Sequence, residues 1–370
     1  MPANNTGGGK DPRVKDILRD DILKGDLPRT MKREYRALKE FFLTDERRER
    51  LKQMRWFRAA IYTFGWLIQA LFFKLTPLRR VLLLLALFIS IFASNIEVNG
   101  TSYNLSLNLN FVTGLILLFI LMLELKDKLV ARDELEAGRA VQTSLMPKRM
   151  PEVPGWSIWL YTRTANEVGG DLVDFQELDS GNYRIALADV AGKGLRAALL
   201  TAKIQATLRA LAPDYVTVAE TGSKLNKIFY RDTTRSFFAS MVYLNLRKEN
   251  GAVQFINAGH LPPIVLRKDV IDETKKGEPA IGIFPEIAYT QNTVELNTGD
   301  TLVIYSDGLT EAKNEMGGFY GTERLMRLLP RMQSLTVQEC GERIVGDVDF
   351  FVGEAPVADD LSLVIARRTV

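Results

Sequence analysis

A chain of 370 residues, 46% hydrophobic and 25% charged, has the composition of a folded protein with room for two or three domains, which excludes a low-complexity or disordered polymer. Its single Cys340 excludes an intramolecular disulfide, and one cysteine with one histidine excludes a zinc site of the usual three or four Cys/His ligands. The net charge of +3 is unevenly spread: residues 1–80 hold 19 Lys/Arg against 10 Asp/Glu, so basic charge precedes the most apolar part of the chain and points to anionic lipid rather than nucleic acid.

Residues 1–55 read as a basic cytoplasmic helical segment, in which Met31, Tyr35, Leu38 and Phe42 recur at i, i+4, i+7 and i+11 and form one apolar face. Their polar character excludes a cleaved signal peptide. Residues 56–75 are apolar yet carry Arg58 and Gln69, which fits an interfacial or re-entrant helix, a third span being the alternative. Two further apolar runs follow, Val81 to Ala93 and Phe111 to Leu123. Extended over uncharged flanks, each approaches the roughly 20 residues that cross a bilayer. The expectation is a two-span transmembrane helical hairpin, 78–97 and 110–125, joined by a short extracytoplasmic loop at 98–109; buried soluble helices are the alternative. Lys74, Arg79 and Arg80 precede the first run and Lys126, Lys128 and Arg132 follow the second, so a multi-pass protein of the cytoplasmic membrane would keep its N-terminus and its C-terminal domain in the cytoplasm.

From 126 to 147 the composition favours a linker or signalling helix, ended by Pro147, Pro151 and Pro154. Met122, Leu125 and Leu129 keep a three-four spacing before the pattern loses phase, so a helix lying on its own domain and a dimerising helix in a homodimer stand side by side. The remaining 148–370 alternate short apolar runs with turns: 183–190, 240–246, 253–257, 263–267, 301–306 and 361–367 read as strands, 195–212 and 216–230 as helices. Many strands with a few inserted helices predict an α+β fold.

Aspartates recur where apolar runs meet turns: Asp171 after Gly169-Gly170, Asp189 before Val190-Ala191-Gly192, Asp307 before Gly308, and Asp359-Asp360 before the last strand. Any one of them is explained by turn chemistry, since Asp-Gly turns a chain. Carboxylates from four distant stretches, in a chain poor in His and Cys, point instead to an oxygen-only site for a hard divalent cation such as Mg²⁺ or Mn²⁺, which commonly binds where phosphate is handled.

At these residues the chain resembles the PPM-type metal-dependent serine/threonine protein phosphatases, in their SpoIIE-like and RsbU-like bacterial branch. The resemblance runs in order through Ala140-Val141-Gln142-Thr143-Ser144-Leu145-Met146-Pro147, Asn166 to Asp174, Ala188 to Gly194, Asn257 to Pro263, Ser306 to Glu311 and Asp359-Asp360-Leu361-Ser362, covering about residues 135 to 368. It implies a four-layer αββα sandwich with a site for two Mn²⁺ or Mg²⁺ ions at one edge. It further implies that Asp189 bridges the ions with the Val190 carbonyl nearby, that Asp307 and Asp359 complete one of them, and that Asp171 flanks the site. Asp174, Glu311 and Asp360 are supporting candidates. Lys193 stands where many relatives have His, and attraction of a substrate phosphate competes with a plain solvated lysine at that position. His260, in a Gly/Pro-flanked loop, is read as structural, a proton-transfer role being the alternative. Two metals can clamp the attacking and leaving oxygens of phosphomonoester hydrolysis, so no protein nucleophile is required.

The implied function is a membrane-anchored phosphatase acting on a phosphorylated cytoplasmic regulatory protein, by resemblance an anti-sigma-factor antagonist, with no nucleic-acid partner. The rival is a catalytically silent scaffold of the same fold. A cysteine phosphatase is excluded because the position six residues after Cys340 is Gly346, where that chemistry needs Arg. A diguanylate cyclase motif fails where Gly169-Gly170-Asp171 continues into Leu172-Val173.

Overall fold

A computed structural model describes residues 35, 39, 42–52, 54–92, 95–99, 104–147, 149–178, 181–234, 237–247, 251–268 and 270–370. Most of the basic N-terminal segment, including Met31 and Leu38 of its expected apolar face, lies outside the described residues. The chain divides into two units, residues 1–128 and 129–370.

In the first unit, α1 (Asp45–Lys52), α2 (Trp56–Lys74) and α3 (Pro77–Phe92) precede a hairpin of β1 (Asn95–Asn99) and β2 (Asn104–Asn108), after which α4 (Leu109–Leu145) begins. Pro77 separates α2 from α3, because the residue before a proline is pushed out of the helical region while proline itself suits a first helical position. Arg79, on the first turn of α3 and 8% exposed, donates to Glu124 at 2.7 Å and to Asp127 at 2.6 Å on α4.

The expected transmembrane hairpin is not confirmed by the structure. Among the described residues no helix is long and apolar enough to cross a membrane. Helix α3 stops after 16 residues, about 24 Å at 1.5 Å per residue, and the chain turns to strand at Asn95 inside the expected 78–97 span. The loop expected at 98–109 is largely the β1–β2 hairpin. The 110–125 stretch is one part of a 37-residue helix that becomes charged from Glu124 onward. Large apolar side chains nevertheless remain exposed on these helices, among them Phe57, Phe64, Val81, Phe88, Phe111 and Phe119.

The second unit is built on two antiparallel sheets. The six-stranded sheet has the order β10-β9-β12-β13-β4-β3 and the five-stranded one β11-β8-β7-β6-β5. Their strands are β3 (Glu152–Val153), β4 (Trp156–Arg163), β5 (Asp171–Glu177), β6 (Asn182–Val190), β7 (Ala239–Arg247), β8 (Ala252–Ala258), β9 (Ile264–Leu266), β10 (Ile271–Glu273), β11 (Asn292–Glu295), β12 (Thr301–Tyr305) and β13 (Leu361–Arg368). The helices are α5 (Leu195–Leu211), α6 (Val218–Asp232), α7 (Asp307–Thr310), α8 (Thr322–Leu328) and α9 (Val337–Val352). Both α6 and α9 start with capping boxes, Thr217 with Glu220 and Thr336 with Glu339, which satisfy backbone donors at each N-terminus.

Three apolar cores define four layers. Ile158, Val173, Leu187, Val242, Ile304 and Val364 pack between the sheets; Ile204, Leu225 and Phe229 of α5 and α6 cover one outer face; Leu325, Ile344 and Val348 of α8 and α9 cover the other. The α+β four-layer expectation holds. Strands β4 and β5 were absent from the expected set, and their residues explain why. β4, paired with β13 and β3, runs apolar through Ile158-Trp159-Leu160 without alternation, while Asp171 and Asp174 make β5 look polar.

Candidate active site

Topology brings the distant aspartates to one end of the sandwich. Asp171 opens β5 and Asp189 lies one residue from the end of β6, and the two are directly opposite in the antiparallel register. Side chains at opposed positions share a face, and here that face is the inter-sheet one, since Val173 and Leu187 on the same faces pack into the central core. From the other sheet, β12 delivers Asp307 at the start of α7, and β13 is immediately preceded by Asp359 and Asp360.

The electrostatics record this convergence. Burial pushes the Asp189 carboxyl up to about 7, with further contributions from Asp307, Asp359 and Asp360. Asp171 is raised well above the usual carboxylate range by burial and then by Asp189, and its Oδ2 is buried with no hydrogen-bond partner among the described residues. Asp307 is raised by burial, then by Asp359 and Glu311. Like charges held together in a partly dry site disfavour ionisation. Lys193 approaches from the loop between β6 and α5, with Nζ 3.1 Å from Asp359 Oδ2.

Asp360 holds the site together rather than facing it. Its Oδ1 accepts from the Ala165 N–H at 2.7 Å, and its Oδ2 accepts from the Gly170 N–H at 2.6 Å. Ser306 Oγ donates to its carbonyl at 3.2 Å and accepts from the Ser362 N–H at 2.9 Å, locking β12 to β13 beside the aspartates. A Cβ on Gly169 would stand 2.6 Å from Asp360 Oδ2, and one on Gly308 would overlap the Asp360 carbonyl, so both glycines are required by close approach.

Among the described residues, no group of three or more His, Cys, Asp or Glu side chains is arranged to hold a metal ion as it stands. The donor chemistry still fits a hard divalent cation: the donors are oxygens, the Asp171 Oδ2 lacks a partner among the described residues, and the repulsion from Asp307, Asp359 and Asp360 that adds to burial in raising Asp189 is what a bound cation would relieve.

The comparisons with known proteins bear on this arrangement. Residues 179–369, just over half the chain, match the family model described as Stage II sporulation protein E (SpoIIE). The chain belongs to the SpoIIE family. Among curated relatives it is 28% identical over 242 residues to the phosphoserine phosphatase RsbU of Bacillus subtilis (strain 168), covering 65% of this chain and 71% of that one. It is 26% identical over 280 residues to protein IcfG of Synechocystis sp., covering 66% of this chain but 43% of IcfG. Among solved structures, the SiaA-PP2C domain of Pseudomonas aeruginosa aligns at a TM-score of 0.57 and 22% identity, over 65% of this chain and 98% of that one. That likeness establishes the PP2C-like fold.

Within this SpoIIE-family domain the expected site residues divide. Asp171, Asp189, Asp307 and Asp359 share one end of the sandwich, with Val190 beside them: its N–H donates to the Gly170 carbonyl at 3.2 Å. Glu311, capping the C-terminal end of α7, reaches the group through its charge on Asp307 and through its backbone N–H, which donates to the Asp307 carbonyl at 2.7 Å. Asp174 does not join it. Three residues on from Asp171, it falls on the opposite face of β5, where it accepts from Arg209 Nη2 at 2.6 Å and from Gln205 Nε2 at 2.8 Å. His260 is held inside the fold by both ring nitrogens. Its Nε2 bonds to the Tyr305 carbonyl at 3.1 Å and its Nδ1 to Ser240 Oγ at 2.7 Å, an arrangement that needs the proton on Nε2, and burial lowers its pKa to about 4.

Gln142 was missed as a site-supporting residue. Near the end of α4 it grips Gly169 twice, with Nε2 donating to the carbonyl at 2.8 Å and Oε1 accepting from the N–H at 3.1 Å. The available signal was its place inside the Ala140 to Pro147 motif.

Proposed function

We propose that this protein is a metal-dependent phosphatase that removes phosphate from serine or threonine of a cytoplasmic regulatory protein, within a partner-switching signalling system. The observation that carries this reading is the register pair Asp171–Asp189 facing Asp307 and Asp359 with Asp189 raised to about 7. The name of RsbU, a phosphoserine phosphatase, supports the substrate class.

Asp171, Asp189, the Val190 carbonyl, Asp307 and Asp359 would hold Mn²⁺ or Mg²⁺, two ions by family resemblance. When bound, such ions supply Lewis acidity toward water and toward the phosphoryl oxygens. The chain's own contribution is placement. Asp360 fixes the Ala165 to Gly170 approach to β5, Ser306 ties β12 to β13, and the burial that raises Asp189 strengthens its attraction for a cation.

The test is phosphate release from a phosphoserine protein by the full chain with Mn²⁺, compared with Asp189→Asn. Turnover by the wild type that Asp189→Asn lacks supports the reading, and equal turnover by both sinks it. The alternative is a silent scaffold of the same fold, which would hold the phosphoprotein without turning it over. Mn²⁺-dependent binding of the phosphoprotein without turnover would select it.

We also propose that the first unit attaches the protein to the cytoplasmic membrane. Its support is the exposed apolar side chains of α2, α3 and the start of α4, together with the excess of Lys/Arg over the first 80 residues. Flotation of the full chain with anionic vesicles, lost on mixed Phe57→Ser and Phe64→Ser substitution, is the expected outcome; recovery in the unbound fraction with every vesicle composition refutes the attachment.

A further inference from the structure

Lys193 lies between two glycines of positive φ, Gly192 at 118° and Gly194 at 73°, conformations that side chains other than glycine's rarely adopt. The turn they make carries the lysine from the end of β6 back over the acidic group. Its Nζ donates to the Ala358 carbonyl at 2.7 Å and pairs with Asp359 Oδ2 at 3.1 Å. Among the described residues no other ion pair reaches Asp171, Asp189, Asp307 or Asp359. The second oxygen of Asp359 is also engaged, accepting from the Asp360 N–H at 3.0 Å.

We propose that Lys193 is a resident counter-ion of the metal site, neutralising Asp359 when no divalent cation is bound and releasing its Oδ2 when one arrives. The inference rests on these aspartates being the metal ligands. A cation approaching Oδ2 meets an ammonium already 3.1 Å from that oxygen, so the two positive charges repel at short range. The lysine is free to yield: its side chain is 57% exposed, and its four-carbon stem is flexible. Metal affinity is thereby held down, while the metal-free carboxylates are spared part of their mutual repulsion. A lysine that instead anchors the substrate phosphate would leave metal affinity unchanged and act on KM.

The experiment is calorimetric titration of Mn²⁺ into the chelator-treated full chain, for the wild type, Lys193→Met, Lys193→Arg and Asp189→Asn. Lys193→Met is expected to bind Mn²⁺ about tenfold more tightly, the size of one short-range charge repulsion in a well-solvated site. Lys193→Arg stays near the wild type because it keeps the charge. The metal-free melting temperature of Lys193→Met falls by a few degrees, and saturating Mn²⁺ removes the difference. Equal or weaker Mn²⁺ binding by Lys193→Met, with wild-type binding intact and Asp189→Asn defective, overturns the inference and leaves the metal site standing. Absence of Mn²⁺ binding by the wild type, or binding unaffected by Asp189→Asn, overturns both.

Discussion

Asp171 and Asp189 sit directly across from one another on β5 and β6, two carboxylates in register on the inner face of the five-stranded sheet. Like charges in directly opposed cross-strand positions are destabilising. Asp171 is buried and Asp189 half-buried next to three further aspartates, so the fold tolerates local instability where the chemistry is proposed.

That instability has a pH signature. Asp189 is raised from 3.8 to about 7 in the folded protein, so between these values the native state holds a proton that the unfolded chain has released. Stability of the metal-free protein is therefore expected to fall as pH rises from about 4 through 7. Asp189→Asn should flatten that dependence and raise the melting temperature near pH 8, while lowering kcat by about 1,000-fold or more, as for loss of a principal electrostatic group. Melting curves in chelator across the pH range, with single-turnover assays in Mn²⁺, read both effects.

His260 makes the opposite prediction. Its folded pKa of about 4 lies below the ordinary value of 6.5, so its contribution to stability is complete above 6.5 and is lost as pH falls toward 4. Being buried and neutral, it should add no inflection near pH 6.5 to the activity profile. Replacement by Gln is expected to lower activity by less than about tenfold, whereas an acid–base catalyst would cost about 100-fold or more. A pH–rate profile of both proteins separates the outcomes.

Asp174 is expected to matter for stability alone. Removing its carboxylate leaves Arg209 and Gln205 without their acceptor on the helix side of β5. The loss should be about 2 kcal/mol for Asp174→Ala, below the range for fully buried pairs because Arg209 is partly exposed. Urea denaturation gives this number, and kcat of the folded variant should match the wild type.

Gly308→Ala should damage the site from beside it. The added methyl would overlap the Asp360 carbonyl, displacing the segment that carries Asp359 and Asp360 relative to Asp307. Overpacking of this kind costs about 1–3 kcal/mol, and Mn²⁺ affinity should fall with it. A control at Gly346, on α9 with ordinary backbone and open space around it, should leave Mn²⁺ affinity unchanged.

The family, the α+β class and the oxygen-only character of the site were legible in the sequence because they reside in residue types and short local patterns. Asp189-Val190-Ala191-Gly192 and Ser306-Asp307-Gly308 each announce a strand ending in a turn, and a chain with one histidine and one cysteine has only oxygen ligands to offer in number. Which aspartate faces which was a tertiary decision. Strand register set Asp171 opposite Asp189, and the two-residue period of β5 turned Asp174 to the other face, although both lie in one motif. The grip of Gln142 on Gly169 and of Lys193 on Asp359 spans residues 27 and 166 positions apart, beyond any local pattern. The expected spans are not confirmed for a related reason: hydropathy measures how apolar a run is, but where a helix stops is settled by the backbone, and α3 gives way to a β-hairpin after 16 residues.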